Sequence, residues 1–299
     1  MKNITEQALN NVNIIGKLLD SNFTSGKFED GRDYERAVVT IRVPQTYSGR
    51  EETSEITTSL IASQYTKTGK LNPGWRSIQD IKSLKTAQNV GIDNADNIRL
   101  SGVTLSENNY VSRSGQLVSG WQLRASFAGN GRNLTPCASF NVDVFIMDIR
   151  DEINYNGEPT GRLIVKGGIV QYGGRLDVIE FIAEKPDYVD FISRNWEPNM
   201  TVNIQGRIRM TTVENSVSSG TDSSWGEDIP DTGTRRVSEL IITKGSDTGK
   251  EEELAYDPVE IKKAFNVRKA NIEQLQLNAK NKQTTKPATQ PTASKYDWE

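Results

Sequence analysis

The pattern of apolar and polar positions is organised around residues 11–43, NVNIIGKLLDSNFTSGKFEDGRDYERAVVTIRV. Val12, Ile14, Ile15, Leu18 and Leu19 form an apolar run broken by Gly16, and a connection bearing Gly, Asp and Asn leads into a second run. Two strands joined by a polar loop are the economical reading. From Tyr34 the second run alternates strictly. Ala37, Val39, Ile41 and Val43 fall on one face, and Tyr34, Arg36, Val38, Thr40 and Arg42 fall on the other. The first face can enter a core. The second sets an aromatic ring beside two guanidinium groups, a mixture suited to a polyanion whose bases have faces to stack on.

The same pattern predicts the elements that follow. Residues 1–10 are a polar arm, PQTYSGREE at 44–52 is a loop, and TSEITTSLIAS is a third strand. Ile78, Ile81 and Leu84 at three-residue intervals predict a helix over Trp75–Ala87, and NIRLSGVTL at 97–105 is a strand with a central glycine. Strand, strand, strand, helix, strand is the order of an oligonucleotide-binding (OB) barrel. A polar hairpin at 110–119, returning through Trp121, Leu123, Ala125 and Phe127, supplies a closing strand. A generic β-sandwich could use such strands, although a lone helix at this point is less expected there.

Gly, Asn and Pro cluster at 129–136 and mark a boundary, beyond which the scheme recurs. Strands are expected at 138–149, 160–170 and 173–183, then a short helix at 186–196 with Pro186 near its start, a strand at 200–210, a polar loop at 213–234 and a closing strand at 237–243. Asn11–Gly16 (NVNIIG) matches Thr201–Gly206 (TVNIQG), but six positions do not establish a duplication. The expected fold is mainly β: two tandem OB-like β-barrels with short helices, at 11–130 and 137–244. A C-terminal helix at 257–280, with Ile261, Phe265, Ile272 and Leu275 at helical spacings, precedes a disordered tail at 281–299.

Composition narrows the chemistry more than the fold. The 299 residues carry a formal charge of −3, which gives no global attraction to nucleic acid but leaves room for local basic strips. There is no histidine and one cysteine, Cys137, so an internal disulfide, the usual zinc sites and Ser-His or Cys-His pairs are closed off. No apolar run approaches the roughly 18 residues of a spanning helix, and residues 1–15 lack a signal-peptide pattern, so a soluble cytoplasmic protein is expected.

The candidate binding residues come from the alternating strands. Arg162 and Lys166 share one face of RLIVKGGIV, and Arg207 and Arg209 share one face of NIQGRIRM, as Tyr34, Arg36 and Arg42 do in the first half. Such faces could track phosphates while bases stack on Tyr34, Tyr47, Tyr110 or Tyr172, at roughly 1–3 kcal/mol each. The loop ENNYVSRSGQ adds Tyr110 and Arg113 on a flexible support. Basic residues on strand faces also serve only to guard edges, and Trp121, Trp75 and Trp196 read as core. A carboxylate cluster at Asp143, Asp148, Asp151 and Glu152 is the catalytic alternative, but Asp143 and Asp148 have opposite strand parity. GNGRN lacks the frame and the lysine of a phosphate-binding loop, and Cys137 reads as a small core residue. No cofactor is expected.

Taken together, the strand order, the glycine-centred NIIGKLL, the basic and aromatic second strand and the ending YDWE resemble phage-type single-stranded DNA-binding proteins of the OB fold, over roughly 11–244 plus the tip. The resemblance implies a non-enzymatic protein that coats exposed single-stranded DNA in replication or recombination. It also implies that a tail tip, here Tyr296, Asp297, Trp298 and Glu299, recruits other replication or recombination proteins. A β-rich virion structural or assembly protein is the rival reading, and a metal-dependent nuclease a more distant one. Two barrels in one chain could partly substitute for subunits, so the oligomeric state stays open.

Overall fold

Two glycines set the path of the sheet. In a computed structural model, which describes residues 1–47, 49–112, 114–217, 231–247 and 249–284, strand β1 (Asn10–Lys27) pairs with β7 (Cys137–Ile153) over Asn10–Ile15 and with β2 (Asp33–Tyr47) from Lys17 onward. At the changeover, a Cβ on Gly16 would stand 2.3 Å from the Arg42 carbonyl oxygen, so only glycine allows the approach. Gly206 does the same on β10 (Thr201–Val217), where a Cβ would lie 2.0 Å from the carbonyl oxygen of Ile241 on β11 (Asp231–Gly245).

The first half closes a ring of strands. β1 pairs antiparallel with β2, β2 with β3 (Arg50–Ala62), β5 (Leu117–Arg124) with β4 (Asn97–Val111), and β4 with β1, while β3 meets β5 in parallel at Ser59 and Arg124. A short β6 (Phe127–Asn130) adds to β4. The second half repeats this order and these senses. β7, β8 (Pro159–Val170) and β9 (Leu176–Ala183) run antiparallel, β9 meets β11 in parallel at Ile182 and Ile241, and β10 joins β11 back to β7. All belong to one 11-stranded sheet, because β1 of ring 1 pairs with β7 of ring 2.

Helices sit between the third and fourth strands of each ring: α1 (Pro73–Lys82) and the one-turn α2 (Ala87–Val90) in ring 1, and α3 (Pro186–Asn195) in ring 2. Asn72 caps α1 by accepting from the Gly74 amide, and Pro73 and Pro186 occupy first-turn positions where a missing N–H costs nothing. The final helix, α4 (Pro258–Thr284), starts against ring 2 with Ile261 buried. Ala37, Val39, Ile41 and Val43 are fully buried, as their alternation requires, and Ile14, Leu60, Val144, Phe181 and Ile204 join them in a core running through both rings. Each such Val, Leu, Ile or Phe side chain contributes about 1.5–3 kcal/mol on leaving water.

Several expectations change. The connection after Leu19 is strand up to Lys27, pairing with Asp33–Thr40, and the loop expected at 44–52 is shortened by the ends of β2 and β3, paired out to Tyr47 and Arg50, with residue 48 outside the described residues. The loop expected at 213–234 is likewise shortened by β10 and β11, paired as far as Val217 and Asp231, with 218–230 outside the described residues. These segments alternate polar residues on both faces, so periodicity of hydrophobicity could not reveal them. The helix expected over Trp75–Ala87 begins at Pro73 and ends at Lys82, and α4 includes residues 281–284, assigned above to the tail. NVNIIG lies on the first strand of ring 1 and TVNIQG on the fourth of ring 2, so the match joins strands that are not equivalent. Among the described residues, no helix is long and apolar enough to cross a membrane.

The glycine changeovers give a direct test of this packing. Gly16→Ala and Gly206→Ala should each lower stability by about 1–3 kcal/mol in urea unfolding, since the colliding atoms are backbone. Gly120→Ala, whose Cβ meets nothing within 4 Å, should change it little. Equal effects at all three positions would contradict the assignment.

Candidate nucleic-acid interface

The outer face of ring 1 over β1–β3 is the first place where predicted residues gather. Antiparallel register sets Thr24 beside Arg36, Asn22 beside Val38 and Arg36 beside Ile61. Thr24, Asn22, Arg36 and Ile61 are exposed, with Ile61 at 48%. Among the described residues the Arg36 side chain has no hydrogen-bond or ion-pair partner. Tyr34 packs on Phe28 with ring centroids 4.8 Å apart and lies across Gly26, which leaves it half-exposed. Arg42 donates to Glu55 at 3.0 Å and keeps 39% of its side chain exposed. Arg236, from the β10–β11 hairpin of ring 2, donates to the Thr57 hydroxyl at 3.4 Å and so borders this face. Sequence reading missed Arg236, although the alternation of VSELIIT extended backwards would have brought it onto a strand.

A second group of predicted residues gathers elsewhere, in an ion-paired clasp between the rings. The β2–β3 hairpin reaches ring 2, where Gln45 donates to the Ile208 carbonyl at 2.9 Å and the Ser54 hydroxyl accepts from the Met210 amide at 3.3 Å. Arg209 donates bidentately to Glu52 at 2.8 and 2.9 Å and also to Glu239 at 3.0 Å, and lies 3.8 Å from the Tyr47 ring centre. Arg162 pairs with Glu239 at 2.7 Å and Glu152 at 3.3 Å, and Arg207 with Glu184 at 2.7 Å and the Thr46 carbonyl. With 13% of its side chain exposed, Arg209 is largely withdrawn from water.

The electrostatics follow from that crowding. The Glu52 bond holds the Arg209 guanidinium above its ordinary pKa despite burial. Burial, with the Glu184 carboxylate beside it, pushes the Tyr47 hydroxyl up to about 12. Three arginines face four carboxylates here, so a phosphate would have to displace partners already in place. Removing one partner of such a pair costs roughly 3–5 kcal/mol, because the other charge is left buried. Sequence periodicity therefore identified the facing of Arg162, Arg207 and Arg209 correctly while leaving their partners, up to 161 positions away, invisible.

The remaining predicted residues are dispersed. Tyr110 is 49% exposed on β4 opposite Val118, and Tyr172 is 88% exposed at the turn between β8 and β9. Lys166 faces a cleft between the rings, while Arg113 and the tip Tyr296–Glu299 lie outside the described residues. Trp196 is buried and donates to the Ser246 carbonyl at 3.0 Å; Trp75 and Trp121 are half-buried against the core. In the carboxylate stretch, Asp143 pairs with Lys250 at 2.5 Å, Asp148 with Arg150 at 3.2 Å and Glu152 with Arg162. Among the described residues, no three Cys, Asp or Glu side chains come together as a metal site would need.

Comparison with known proteins places this geometry. The model of the family described as YorF matches residues 8–278. The single-stranded DNA-binding protein from Thermus aquaticus has a solved structure that aligns over 84% of this chain and 98% of its own, at 13% identity with a TM-score of 0.50, a likeness of fold. A deletion variant of that protein aligns at 14% identity over 84% and 98%, with a TM-score of 0.48. No curated protein matches the sequence.

Tyr47 provides a pH test of the clasp. Its hydroxyl ionises near 10 in the unfolded chain and at about 12 in the folded one, so its contribution to stability is complete below pH 10 and is lost as pH rises through 12. Between these values the wild-type protein should lose stability more steeply than Tyr47→Phe in urea unfolding. Identical slopes would show that the ring is not buried in the clasp.

Proposed function

The chain belongs to the YorF family, and we propose that it is a non-enzymatic protein that binds single-stranded DNA largely without regard to sequence. In this reading each five-stranded ring is an OB-type barrel, and ring 1 carries the principal contact over the outer face of β1–β3. The observation that carries it is Arg36, an exposed cation beside exposed Ile61, flanked by Tyr34, Arg42 and Arg236. Backbone phosphates would meet the guanidinium groups, and bases would lie on the apolar and aromatic surface, the combination that non-specific single-strand binders use. The Thermus aquaticus protein of like fold, which its name describes as binding single-stranded DNA, supports the same reading.

Arg162, Arg207, Arg209 and Tyr47 take a different role from the one their periodicity implied. Arg209, through Glu52, and Arg207, through the Thr46 carbonyl, brace ring 2 against ring 1, Arg162 is held within ring 2 by Glu152 and Glu239, and the more exposed cations of ring 1 remain for phosphate. We further propose that the protein acts in phage DNA replication or recombination, in the host cytoplasm, and that Tyr296, Asp297, Trp298 and Glu299 hook partner proteins. Deleting residues 295–299 should then leave oligo-dT affinity intact or raised while abolishing capture of a replication partner, and a large loss of DNA affinity would contradict that role.

Fluorescence titration with oligo-dT at two salt concentrations tests the main claim. Binding should weaken with salt, and Arg36→Ala and Arg236→Ala should each flatten the logarithmic salt slope by about 0.7, the value for one lost phosphate contact on a single strand. Arg209→Ala should instead lower unfolding stability and leave that slope unchanged. Absence of binding at low salt would overturn the reading.

A further inference from the structure

Among the described residues, the ring 2 counterpart of the ring 1 face is partly covered. Its outer surface over β8 and β9 is overhung by the β4–β5 hairpin of ring 1, and between them lies a cavity of about 640 Å³. Trp121 stands on the hairpin side, Ile164, Ile182 and Leu240 line the ring 2 side, and Lys166 projects among them. The nearby carboxylates are already matched, Glu180 with Arg150 and Glu152 and Glu239 with Arg162. Among the described residues, Lys166 has no ion-pair partner. An indole, an aliphatic floor and an ammonium group without an ion pair, set between Asp148 and Glu180 of the neighbouring strands, are the elements of a single-strand binding subsite.

α4 contributes Arg268 to the wall of this cavity. Arg268 donates from Nε to Glu107 at 2.7 Å and from Nη2 to the other carboxylate oxygen, tying the helix to β4. The pair lines this cavity and also a neighbouring one of about 470 Å³, under Ala264, Ile272 and Leu275 of α4. Glu107 is 7% exposed and Arg268 18%, so the pair is formed where solvent screens it little. Glu107 also accepts from the Val178 amide at 3.4 Å, so its carboxylate keeps a donor when the guanidinium leaves.

We propose that the cleft is a second contact surface for the bases of a single strand, and that the Arg268–Glu107 pair is the latch that closes it in the free protein. The proposal rests on the single-strand reading above. In the opened state Arg268 exchanges the carboxylate for a phosphate of the incoming strand, bases enter against Trp121, and Lys166 meets the next phosphate. No bond other than hydrogen bonds and ion pairs is made or broken. The two rings are thus unequal: ring 1 is available at once, and ring 2 only after the latch parts.

The test uses the full chain, with oligo-dT of increasing length followed by anisotropy, to give the nucleotides occluded per protein. Glu107→Gln should enlarge that number by about 4–16 nucleotides, the span of one further barrel, and the charge exchange Glu107→Arg with Arg268→Glu should restore the wild-type value. Adding Trp121→Ala to Glu107→Gln should cancel the gain. Arg268→Gln parts the same pair from the helix side, and should enlarge the footprint too if burial makes the Glu107 variant fold poorly. Wild-type binding with a footprint unchanged in both single variants would overturn the latch alone. A gain that survives Trp121→Ala would overturn the cleft as the surface. Failure of the wild-type protein to bind oligo-dT would remove the single-strand reading and this inference with it.

Discussion

The pairing of β1 with β7 is the contact on which the arrangement depends. Six residues of β1, Asn10–Ile15, lie antiparallel to Cys137–Val142, so two rings that could have been joined by a flexible linker share one hydrogen-bonded sheet. β7 is also held on its other edge by β10, and Asn203 of β10 donates to Asn141 at 2.8 Å and Asp143 at 2.9 Å of β7. With the rings fixed in this way, the long hairpins of each reach over the other. The β2–β3 hairpin meets β10, and the β4–β5 hairpin meets β9, where the Glu107 amide donates to Asp177 at 3.1 Å.

This arrangement distributes the charges. Arginines that could serve a polyanion are consumed beside the crossing of the β2–β3 hairpin onto ring 2, where Glu52 of ring 1 takes Arg209 and the ring 2 carboxylates Glu239 and Glu184 take Arg209 and Arg207. Arginines on the open side of ring 1 keep their exposure. The net charge of −3 is then compatible with a locally basic face, since the clasp arginines are matched by carboxylates while Arg36 stays exposed on ring 1. In the proposed latch the same logic makes the cleft under Trp121 conditional: Lys166 has no ion-pair partner among the described residues, and the Arg268–Glu107 pair stands in the cleft wall.

What could be read in the sequence follows from what is local. Alternation placed Ala37, Val39, Ile41 and Val43 in the core, and strand and helix order gave the succession of elements in each half, because both properties are carried by neighbours in the chain. The helix start at Pro186 was legible for the same reason, whereas α1 begins at Pro73, ahead of the expected Trp75, with its cap at Asn72. Partnership was not legible. Nothing around Arg209 indicates Glu52, and nothing around Arg268 indicates Glu107, 161 positions earlier. The polar ribbon ends of β1 to β3, β10 and β11 also escaped, since they are held by pairing and not by burial.

Amide hydrogen exchange with and without bound oligo-dT tests the central claim most directly, because it reports which surface a single strand covers. New protection is predicted on β1–β3, centred on residues 22–24, 34–42 and 57–61, with the clasp around Arg209 protected equally in both states. Protection confined to β8 and β9, or none on β1–β3 under conditions where the oligonucleotide is bound, would contradict the account.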